Sequence, residues 1–207
     1  MSGGPKNILI AGGGIGGLTA ALECAKQGFR VEVFEQAKEF SDVGAGIQLS
    51  PNSSRVLLSL GLGDALGAVA FLPEGTEFRH WRTGKQLNYN ALGNTALEKF
   101  GAPYYHIHRA DLTEVLAAAA AAEPNIQLHT GAKVSGFTQS NAAVNLETSI
   151  GAFQGAVLIG ADGIHSSVRT GLFGAESPTF TGNVAWRGLV PADQLPDGLV
   201  HPCLLYT

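Results

Sequence analysis

The chain has 207 residues, of which 45% are hydrophobic and 14% are charged, as expected for a folded protein with a substantial core. Its formal net charge of −4 argues against nucleic-acid and membrane partners, and no apolar stretch is long enough to span a bilayer. The two cysteines, Cys24 and Cys203, form neither a disulfide framework nor a metal site. We therefore expect free thiols, no bound metal and a cytoplasmic protein.

The first segment has the pattern of a dinucleotide-binding unit. A short apolar strand begins at Asn7 and leads into a glycine turn, and a helix is predicted from about Ile15 to Gly28. The turn fits the motif G-x-G-x-x-G, whose glycines allow a sharp turn, close approach to a pyrophosphate and tight helix packing. The start of the helix adds free N–H groups and the positive end of a dipole. The motif glycines are Gly12, Gly14 and Gly17.

A second predicted strand, residues 30–34, ends on Glu35, 18 residues after Gly17. A carboxylate at this point of the fold accepts hydrogen bonds from the hydroxyls of an adenosine ribose. The alternative is a glycine-rich loop that closes an ordinary strand–helix–strand unit without a ligand. The order of strand, glycines, helix, second strand and terminal glutamate favours the binding site.

The middle of the chain departs from this α/β pattern. Residues 43–49 form a glycine-rich extended segment, and Ser50 and Pro51 predict the start of a helix. Alternating residues on both sides of the turn Thr83-Gly84 predict a β-hairpin within residues 71–90, whereas residues 91–103 are predicted as loop. The hairpin indicates a second, sheet-rich layer inserted into the first.

The α/β pattern returns after residue 103. We predict a strand at residues 104–108, a helix from Arg109 to about Ala122 and a helix at residues 165–172. The apolar run 155–163 predicts one buried parallel strand that ends on Asp162, at the edge where ligands bind in open α/β sheets. The other predicted strands are residues 126–129, 132–139, 142–148 and 182–191.

Together these segments predict an α/β fold in which a Rossmann-like binding domain carries an inserted sheet-rich layer. The binding domain is assigned to residues 1–70 and 100–175. The sheet layer is assigned to residues 71–99 and 176–207.

Six segments of the chain resemble the class A flavoprotein aromatic monooxygenases, the family of p-hydroxybenzoate hydroxylase. The resemblance is greatest to the branch that hydroxylates salicylate, hydroxynicotinate and hydroxybenzoate. The strand end at Asp162 with its following arginine is the most specific part, because simple Rossmann dehydrogenases lack it. The matching segments are residues 12–17, Glu35, residues 44–51, residues 109–112, residues 158–169 and residues 185–188.

The resemblance implies FAD as the cofactor and assigns residues to it. The turn and helix start, together with Glu35 and its neighbour Gln36, would hold the pyrophosphate and the adenosine ribose. Val134 would offer its backbone to the adenine, and Gln48 would approach the flavin end. Arg109 would reach toward the phosphate and ribityl region, or it is only an exposed arginine at a helix start. Asp162 would serve both FAD and the nicotinamide cofactor, or it caps the helix that follows, a role compatible with binding. The residues of the turn and helix start are Gly12, Gly14, Ile15, Gly16 and Gly17.

The implied chemistry is insertion of one oxygen atom from dioxygen into a small aromatic substrate of the phenol, hydroxybenzoate or hydroxypyridine type. NADH or NADPH would reduce FAD, and a flavin C4a-hydroperoxide would transfer the hydroxyl group. The identity of the catalytic base stays open among His106, His108 and His201. Arg187 could pair with a substrate carboxylate or form a salt bridge within the sheet. The alternatives are a flavin or nicotinamide dehydrogenase without oxygen activation, and an inactive nucleotide-binding fragment.

The chain departs from the family in one respect. The family's chains are nearly twice as long and carry a second Gly-Asp motif for the flavin end, which this sequence lacks. The sequence alone therefore predicts either an N-terminal portion of a longer enzyme or a truncated gene product. We expect the 207-residue chain to bind FAD weakly and to self-associate through an open sheet, and a homodimer is compatible with the family.

Overall fold

The computed structural model describes residues 6–40, 46–184, 191–194 and 203–206. The chain divides into two compact units, of which the first contains residues 1–42 and 112–184 and the second contains residues 43–111 and 185–207. These two units are defined by compactness, whereas the predicted domains were assigned by what they bind. The predicted domain boundaries therefore stay a prediction.

The described elements are twelve strands, six α-helices and one short 3₁₀ helix. The strands are β1 Asn7–Ala11, β2 Arg30–Glu35, β3 Gly46–Leu49, β4 Gly75–Arg79, β5 Gln86–Ala91, β6 Tyr105–His108, β7 Ile126–Thr130, β8 Val134–Gln139, β9 Val144–Thr148, β10 Gly151–Gly155, β11 Val157–Gly160 and β12 Cys203–Tyr206. The helices are α1 Ile15–Lys26, α2 Pro51–Ser59, α3 Gly63–Val69, α4 Asn94–Phe100, α5 Arg109–Ala122, α6 Ser167–Phe173 and the 3₁₀ helix Ala192–Gln194.

The first unit is built on a four-stranded parallel sheet with the strand order β11-β1-β2-β7. Ile8 lies between Val157 of β11 and Val31 of β2, and Val31 in turn pairs with Ile126 of β7. Because every pairing is parallel, the carboxyl ends of all four strands meet at one edge. This parallel sheet, together with the strand hairpin of the second unit, confirms the predicted fold class.

Both faces of the parallel sheet are covered by apolar side chains. On one face Ile10, Val31 and Val33 pack with Ala21 and Ala25 of α1. On the other face Leu9 and Phe34 pack with Leu146 of β9 and Val168 of α6. The strands β8, β9 and β10 form a three-stranded antiparallel sheet. The parallel sheet, including the edge where the carboxyl ends of its strands meet, thus lies between two apolar layers.

Helix α1 forms because its apolar residues recur with helical spacing. Leu18, Ala21, Leu22 and Ala25 are all buried and occupy positions i, i+3, i+4 and i+7. Burying a leucine such as Leu18 stabilises the fold by about 1.5–3 kcal/mol. The helix ends at Lys26, slightly before the predicted end, and the chain reverses at Gly28, whose φ is +85°.

The second unit contains two small sheets. The three-stranded sheet has the order β12-β4-β5, in which β12 is parallel and β5 is antiparallel to β4. Strands β3 and β6 form an antiparallel pair. In β4 the carboxylate of Glu77 is buried and forms an ion pair of 2.8 Å with Arg79. The predicted hairpin is therefore present, and its turn contains Thr83 and Gly84.

The prediction of a loop over residues 91–103 is wrong, because α4 lies within it. Gly93 has φ +52° and Gly101 adopts the left-handed conformation, so the two glycines bound a helix of seven residues. Within α4 only Ala96 is buried. The apolar pattern of so short a helix was too weak to reveal it. The additional helix α3 went unpredicted for the same reason, since Leu66 is its single buried residue.

The apolar run 155–163 is also not one buried strand. It contains the end of β10 and all of β11, and Ala156 lies between them. β11 is parallel, as predicted, but Val157 is 48% exposed because β11 is an edge strand among the strands the structure describes. Residues 182–184 carry no strand, and residues 185–190 of the predicted strand 182–191 lie outside the described residues.

Candidate functional site

A cavity of about 510 Å³ lies at the carboxyl edge of the parallel sheet. Residues that follow β1, β2, β7 and β11 all contribute to its wall, because the carboxyl ends of parallel strands meet at one edge. Six of the residues predicted to bind a cofactor line it together. They are Gly12, Gly14, Glu35, Gln36, Val134 and Asp162.

The glycines of the turn differ in what their missing side chains would meet. A Cβ on Gly12 would lie 2.3 Å from the carbonyl oxygen of Ala161, and one on Gly17 would lie 1.9 Å from the carbonyl oxygen of Gly12. Gly12 also has φ +100°, which L side chains rarely adopt. These two glycines are therefore needed for packing.

Gly14 and Gly16 have no such packing reason. Apart from the adjoining backbone, no atom of the described residues lies within 4 Å of the position that a Cβ would take on either residue. Gly14 is the N-cap of α1 and gives no side-chain cap, and the first turn of the helix contains no acidic residue. The N–H groups and positive dipole end of α1 are thus available to an anion at the cavity wall. This open cradle fits the diphosphate of a dinucleotide.

Glu35 connects the glycine turn to the end of β2. Its Oε2 accepts a hydrogen bond of 2.7 Å from the backbone N–H of Gly13, and its Oε1 accepts one of 2.8 Å from the backbone N–H of Ala37. A carboxylate oxygen has two acceptor positions, so each oxygen keeps one with respect to the described residues. The predicted contact with ribose hydroxyls is compatible with this arrangement, but Glu35 also has a structural role that the sequence did not indicate.

Backbone hydrogen bonds fix the adjoining wall of the cavity, which precedes β8. The N–H of Ala132 donates to the carbonyl oxygen of Glu35, and the N–H of Gly131 donates to that of Ala37, each at 2.8 Å. Val134 is 9% exposed and begins β8. The turn between β7 and β8 is therefore held against the end of β2, next to the carboxylate of Glu35.

Asp162 and the N-cap residue Ser166 together cap helix α6. Oδ2 of Asp162 accepts hydrogen bonds from the backbone N–H groups of Ser167 at 2.7 Å and Val168 at 3.2 Å. Its Oδ1 accepts a hydrogen bond of 2.5 Å from the hydroxyl of Ser166, which in turn accepts one of 2.9 Å from the N–H of Arg169. The N-terminus of α6 is thus filled by protein groups, whereas the N-cap of α1 supplies no side-chain hydrogen bond.

Two predicted cofactor residues belong to the second unit. Gln48 lies exposed on β3, and its Oε1 accepts a hydrogen bond of 2.9 Å from the hydroxyl of Tyr104. Arg109 is exposed and is the first residue of α5. Their contacts with a cofactor stay predictions, as does the substrate contact of Arg187, which lies outside the described residues.

Neither His106 nor His108 lines the cavity of the first unit. Burial lowers the pKa of His106, and its Nε2 is buried without a hydrogen-bond partner among the described residues. His108 lies 3.9 Å from Asp111, measured from Nδ1 to Oδ1, and His201 lies outside the described residues. None of these observations assigns the base.

The sequence reasoning missed several residues of the cavity wall. Phe34, Lys133, His165 and Ser167 contribute to the wall although they belong to no glycine or carboxylate motif. Their positions next to the ends of β2, β7 and β11 were the available signal, since residues that follow parallel strands face this edge. A second cavity, of about 460 Å³ and lined in part by Asn7 and Glu32, lies at the opposite edge.

The sequence profile of the FAD binding domain family matches residues 6–201, which is nearly the whole chain. The chain belongs to this FAD-binding family. FAD is therefore confirmed as the cofactor type, and its diphosphate is the group that the cradle at α1 fits. Within the residues that the structure describes, no group of three or more metal-ligating side chains occurs, and no helix is long and apolar enough to cross a membrane.

Relatives of this FAD-binding chain are named as aromatic monooxygenases. A 3-amino-4-hydroxybenzoate 2-monooxygenase of Streptomyces platensis is 42% identical over 96% of the chain and 50% of its own length. A 3-hydroxybenzoate 6-hydroxylase of Aquipseudomonas alcaligenes is 38% identical over 94% of the chain and 50% of its own length. A 6-hydroxynicotinate 3-monooxygenase of Bordetella bronchiseptica is 35% identical over 92% of the chain and 49% of its own length. The chain spans about half the length of these curated relatives.

Solved structures agree with this assignment. A variant of 2-methyl-3-hydroxypyridine-5-carboxylic acid oxygenase is 26% identical, with a TM-score of 0.70, over 81% of this chain and 42% of that one. HpxO of Klebsiella pneumoniae in complex with FAD is 26% identical, with a TM-score of 0.68, over 80% of this chain and 42% of that one. The resemblance to class A flavoprotein monooxygenases predicted from the sequence is confirmed.

Proposed function

We propose that this chain provides the FAD-binding part, and the beginning of the substrate-binding sheet, of a monooxygenase that hydroxylates a small aromatic compound with dioxygen and NADH or NADPH. The observation that carries the proposal is the cavity at the carboxyl edge, where the uncapped start of α1 meets the carboxylate of Glu35. When bound, FAD would accept a hydride from the nicotinamide cofactor and activate dioxygen for insertion of one oxygen atom.

The residues of the cavity divide the work of holding the ADP part of FAD. The N–H groups at the start of α1 would donate hydrogen bonds to the diphosphate, which lies close to backbone because Gly14 and Gly16 have no side chains. Glu35 would accept hydrogen bonds from the ribose hydroxyls, with Gln36 beside it. The backbone around Val134 would border the adenine, and Asp162 would keep the start of α6 in place beside the cofactor.

The substrate class follows from the names of the relatives. They act on hydroxybenzoates and a hydroxynicotinate, which are rings with a hydroxyl group and a carboxylate. We infer a substrate of this class for the protein to which this chain belongs. Arg187 remains our candidate for the substrate carboxylate, because a guanidinium matches a carboxylate with two hydrogen bonds. We also propose a homodimer and a cytoplasmic location.

The test is oxidation of NADH and NADPH by the FAD-loaded protein with a panel of hydroxybenzoates, hydroxynicotinates, salicylate and urate, with the hydroxylated product quantified. Coupled NAD(P)H oxidation and product formation with one of these aromatics is the expected result. FAD reduction without product from any of them would favour a dehydrogenase. FAD binding without reduction by either nicotinamide cofactor would favour a nucleotide-binding chain without hydroxylase activity.

A further inference from the structure

A row of hydrogen-bonded side chains crosses the parallel sheet on the same face as Phe34. Nδ2 of Asn7 on β1 donates a hydrogen bond of 2.7 Å to Oε1 of Glu32 on β2. The other carboxylate oxygen, Oε2, lies 2.8 Å from Nε2 of His129 on β7. The side chains of Glu32 and His129 are only 20% and 13% exposed. This row has no role in the function proposed for the cavity.

His129 connects the row to Phe34, which lies opposite it in the sheet. Residues 34 and 129 are partners in the parallel pairing of β2 with β7. Their rings are stacked, with centroids 4.7 Å apart and planes inclined by 8°. Because the outer torsion of a histidine side chain is only weakly restricted, the hydrogen bond with Glu32 fixes the plane of the imidazole. The stacking then holds the ring of Phe34 in a matching orientation.

Phe34 contacts both parts of the proposed adenosine site. It is 1% exposed and packs in one apolar cluster with Ala132 and Val134, whose backbone would border the adenine. Its carbonyl oxygen accepts a hydrogen bond of 2.8 Å from the N–H of Gly12, and the next residue is Glu35. A shift of the Phe34 ring would therefore move the end of β2, and with it the carboxylate that would bind the ribose.

We propose that His129, held by Glu32, is a positioning residue for the carboxylate of Glu35. The inference rests on the proposed function, because it requires that carboxylate to accept hydrogen bonds from the ribose of the ADP part. A hydrogen bond between partly buried side chains adds little net stability, since both groups lose water on folding. It does fix geometry, and the strength of a hydrogen bond depends steeply on distance and angle. His129 does not line the cavity and acts on the ribose through Phe34.

Two ligands that differ only in the ribose hydroxyls separate this role from a purely structural one. ADP carries the 2′- and 3′-hydroxyls, whereas 2′,3′-dideoxy-ADP lacks both, and calorimetric titration gives a Kd for each. For the unmodified 207-residue chain, the Kd for the dideoxy compound should be about tenfold or more above that for ADP, since Glu35 loses its ribose partner. A fold that is merely weakened changes both Kd values alike. A displaced carboxylate lowers the ratio of the two.

Three variants test the row itself. Glu32→Leu removes the group that holds His129 and should reduce the ratio of the two Kd values at least about threefold. His129→Leu should have the same effect and carries the comparison if Glu32→Leu does not fold. Glu32→Gln is the rescue, because its amide can still accept from Asn7 and donate to a neutral imidazole. It should keep the ratio within about twofold of the unmodified value.

Val31→Ala is the matched control for lost stability. Val31 belongs to the same strand as Glu32 but packs with Ala21 and Ala25 of α1, on the opposite face of the sheet. The variant should lower the Tm, because it removes buried methyl groups, and should leave the ratio of the two Kd values unchanged.

All titrations are made below the lowest Tm of the set, so that every protein is folded. A ratio that falls in Glu32→Leu and His129→Leu but is kept in Glu32→Gln and Val31→Ala supports the proposal. A ratio that stays at the unmodified value in the two leucine variants, or falls equally in Glu32→Gln or Val31→Ala, overturns it while the proposed ADP site stands. If the unmodified chain binds both ligands equally, or binds neither, the proposed ribose contact and the positioning role fail together.

Discussion

Replacing Glu35 with alanine should weaken the fold and FAD binding separately, because the carboxylate has two kinds of partner. In the protein it accepts backbone hydrogen bonds from Gly13 at 2.7 Å and Ala37 at 2.8 Å. Ala37 is exposed, so water can replace its lost partner, whereas Gly13 is buried and its N–H would be left unsatisfied. One hydrogen bond to a charged group is worth about 1.5–3 kcal/mol.

The expected loss of unfolding free energy for Glu35→Ala is therefore about 1.5–3 kcal/mol, which corresponds to a Tm lower by about 3–12 °C for a chain of this size. The assay is thermal unfolding without FAD, followed by an FAD titration below the Tm of the variant. The dissociation constant for FAD should rise about tenfold or more, since the ribose hydroxyls lose their acceptor.

Glu39→Ala is the matched control, because Glu39 is an exposed glutamate four residues further along the chain. It should leave both the Tm and the affinity for FAD unchanged. An unchanged Tm for Glu35→Ala would refute the role of the carboxylate in holding the glycine turn. An unchanged affinity for FAD would show that the carboxylate does not contact the ribose.

Three further predictions follow from the same structure. Gly14→Ala should keep the Tm within about 1 °C, because a Cβ there meets no described residue beyond the adjoining backbone, but it should weaken FAD binding in a titration. Gly12→Ala should instead lower the Tm through its clash with Ala161. Asp162→Ala should cost about 0.5–2 kcal/mol in urea unfolding through loss of the hydrogen bonds from the N–H groups of Ser167 and Val168, and Asp162→Asn should recover part of it. Because burial lowers the pKa of His106, the unfolded chain binds a proton at this histidine more readily than the folded chain does. The unfolding free energy should therefore fall as the pH drops below about 6.5, and it should fall less steeply in His106→Phe. Equal pH profiles of the unfolding free energy for the two proteins would contradict this.

The sequence predicted the parts of the site that depend on local pattern. The glycine turn, Glu35 and Asp162 line one cavity because each lies at or just after the carboxyl end of a parallel strand, and that order is visible in the sequence. The alternation of β4 and β5 likewise predicted the hairpin. In these places hydrophobic periodicity and turn residues indicate the same structure, and tertiary packing adds little information.

The remaining features depend on contacts between residues that are distant in the sequence. The bond from Gly13 to Glu35 spans 22 residues, and the role of Glu35 in fixing the turn follows only from that pairing. The division of the run 155–163 into β10 and β11 depends on which strands each one pairs with. The exposure of Val157 likewise follows from the position of β11 at the sheet edge. No local pattern encodes these relations.

The central claim is that the cavity at the carboxyl edge binds the ADP part of FAD, and hydrogen exchange with and without saturating FAD or ADP tests it most directly. The account predicts slower exchange of backbone amides at the start of α1, around Gln36 and around Val134, with the same regions protected by ADP alone. The amides of the β4–β5 hairpin should exchange at unchanged rates with ADP. Protection by ADP confined to the hairpin, or no protection at the start of α1 with a saturating ligand, would contradict the account.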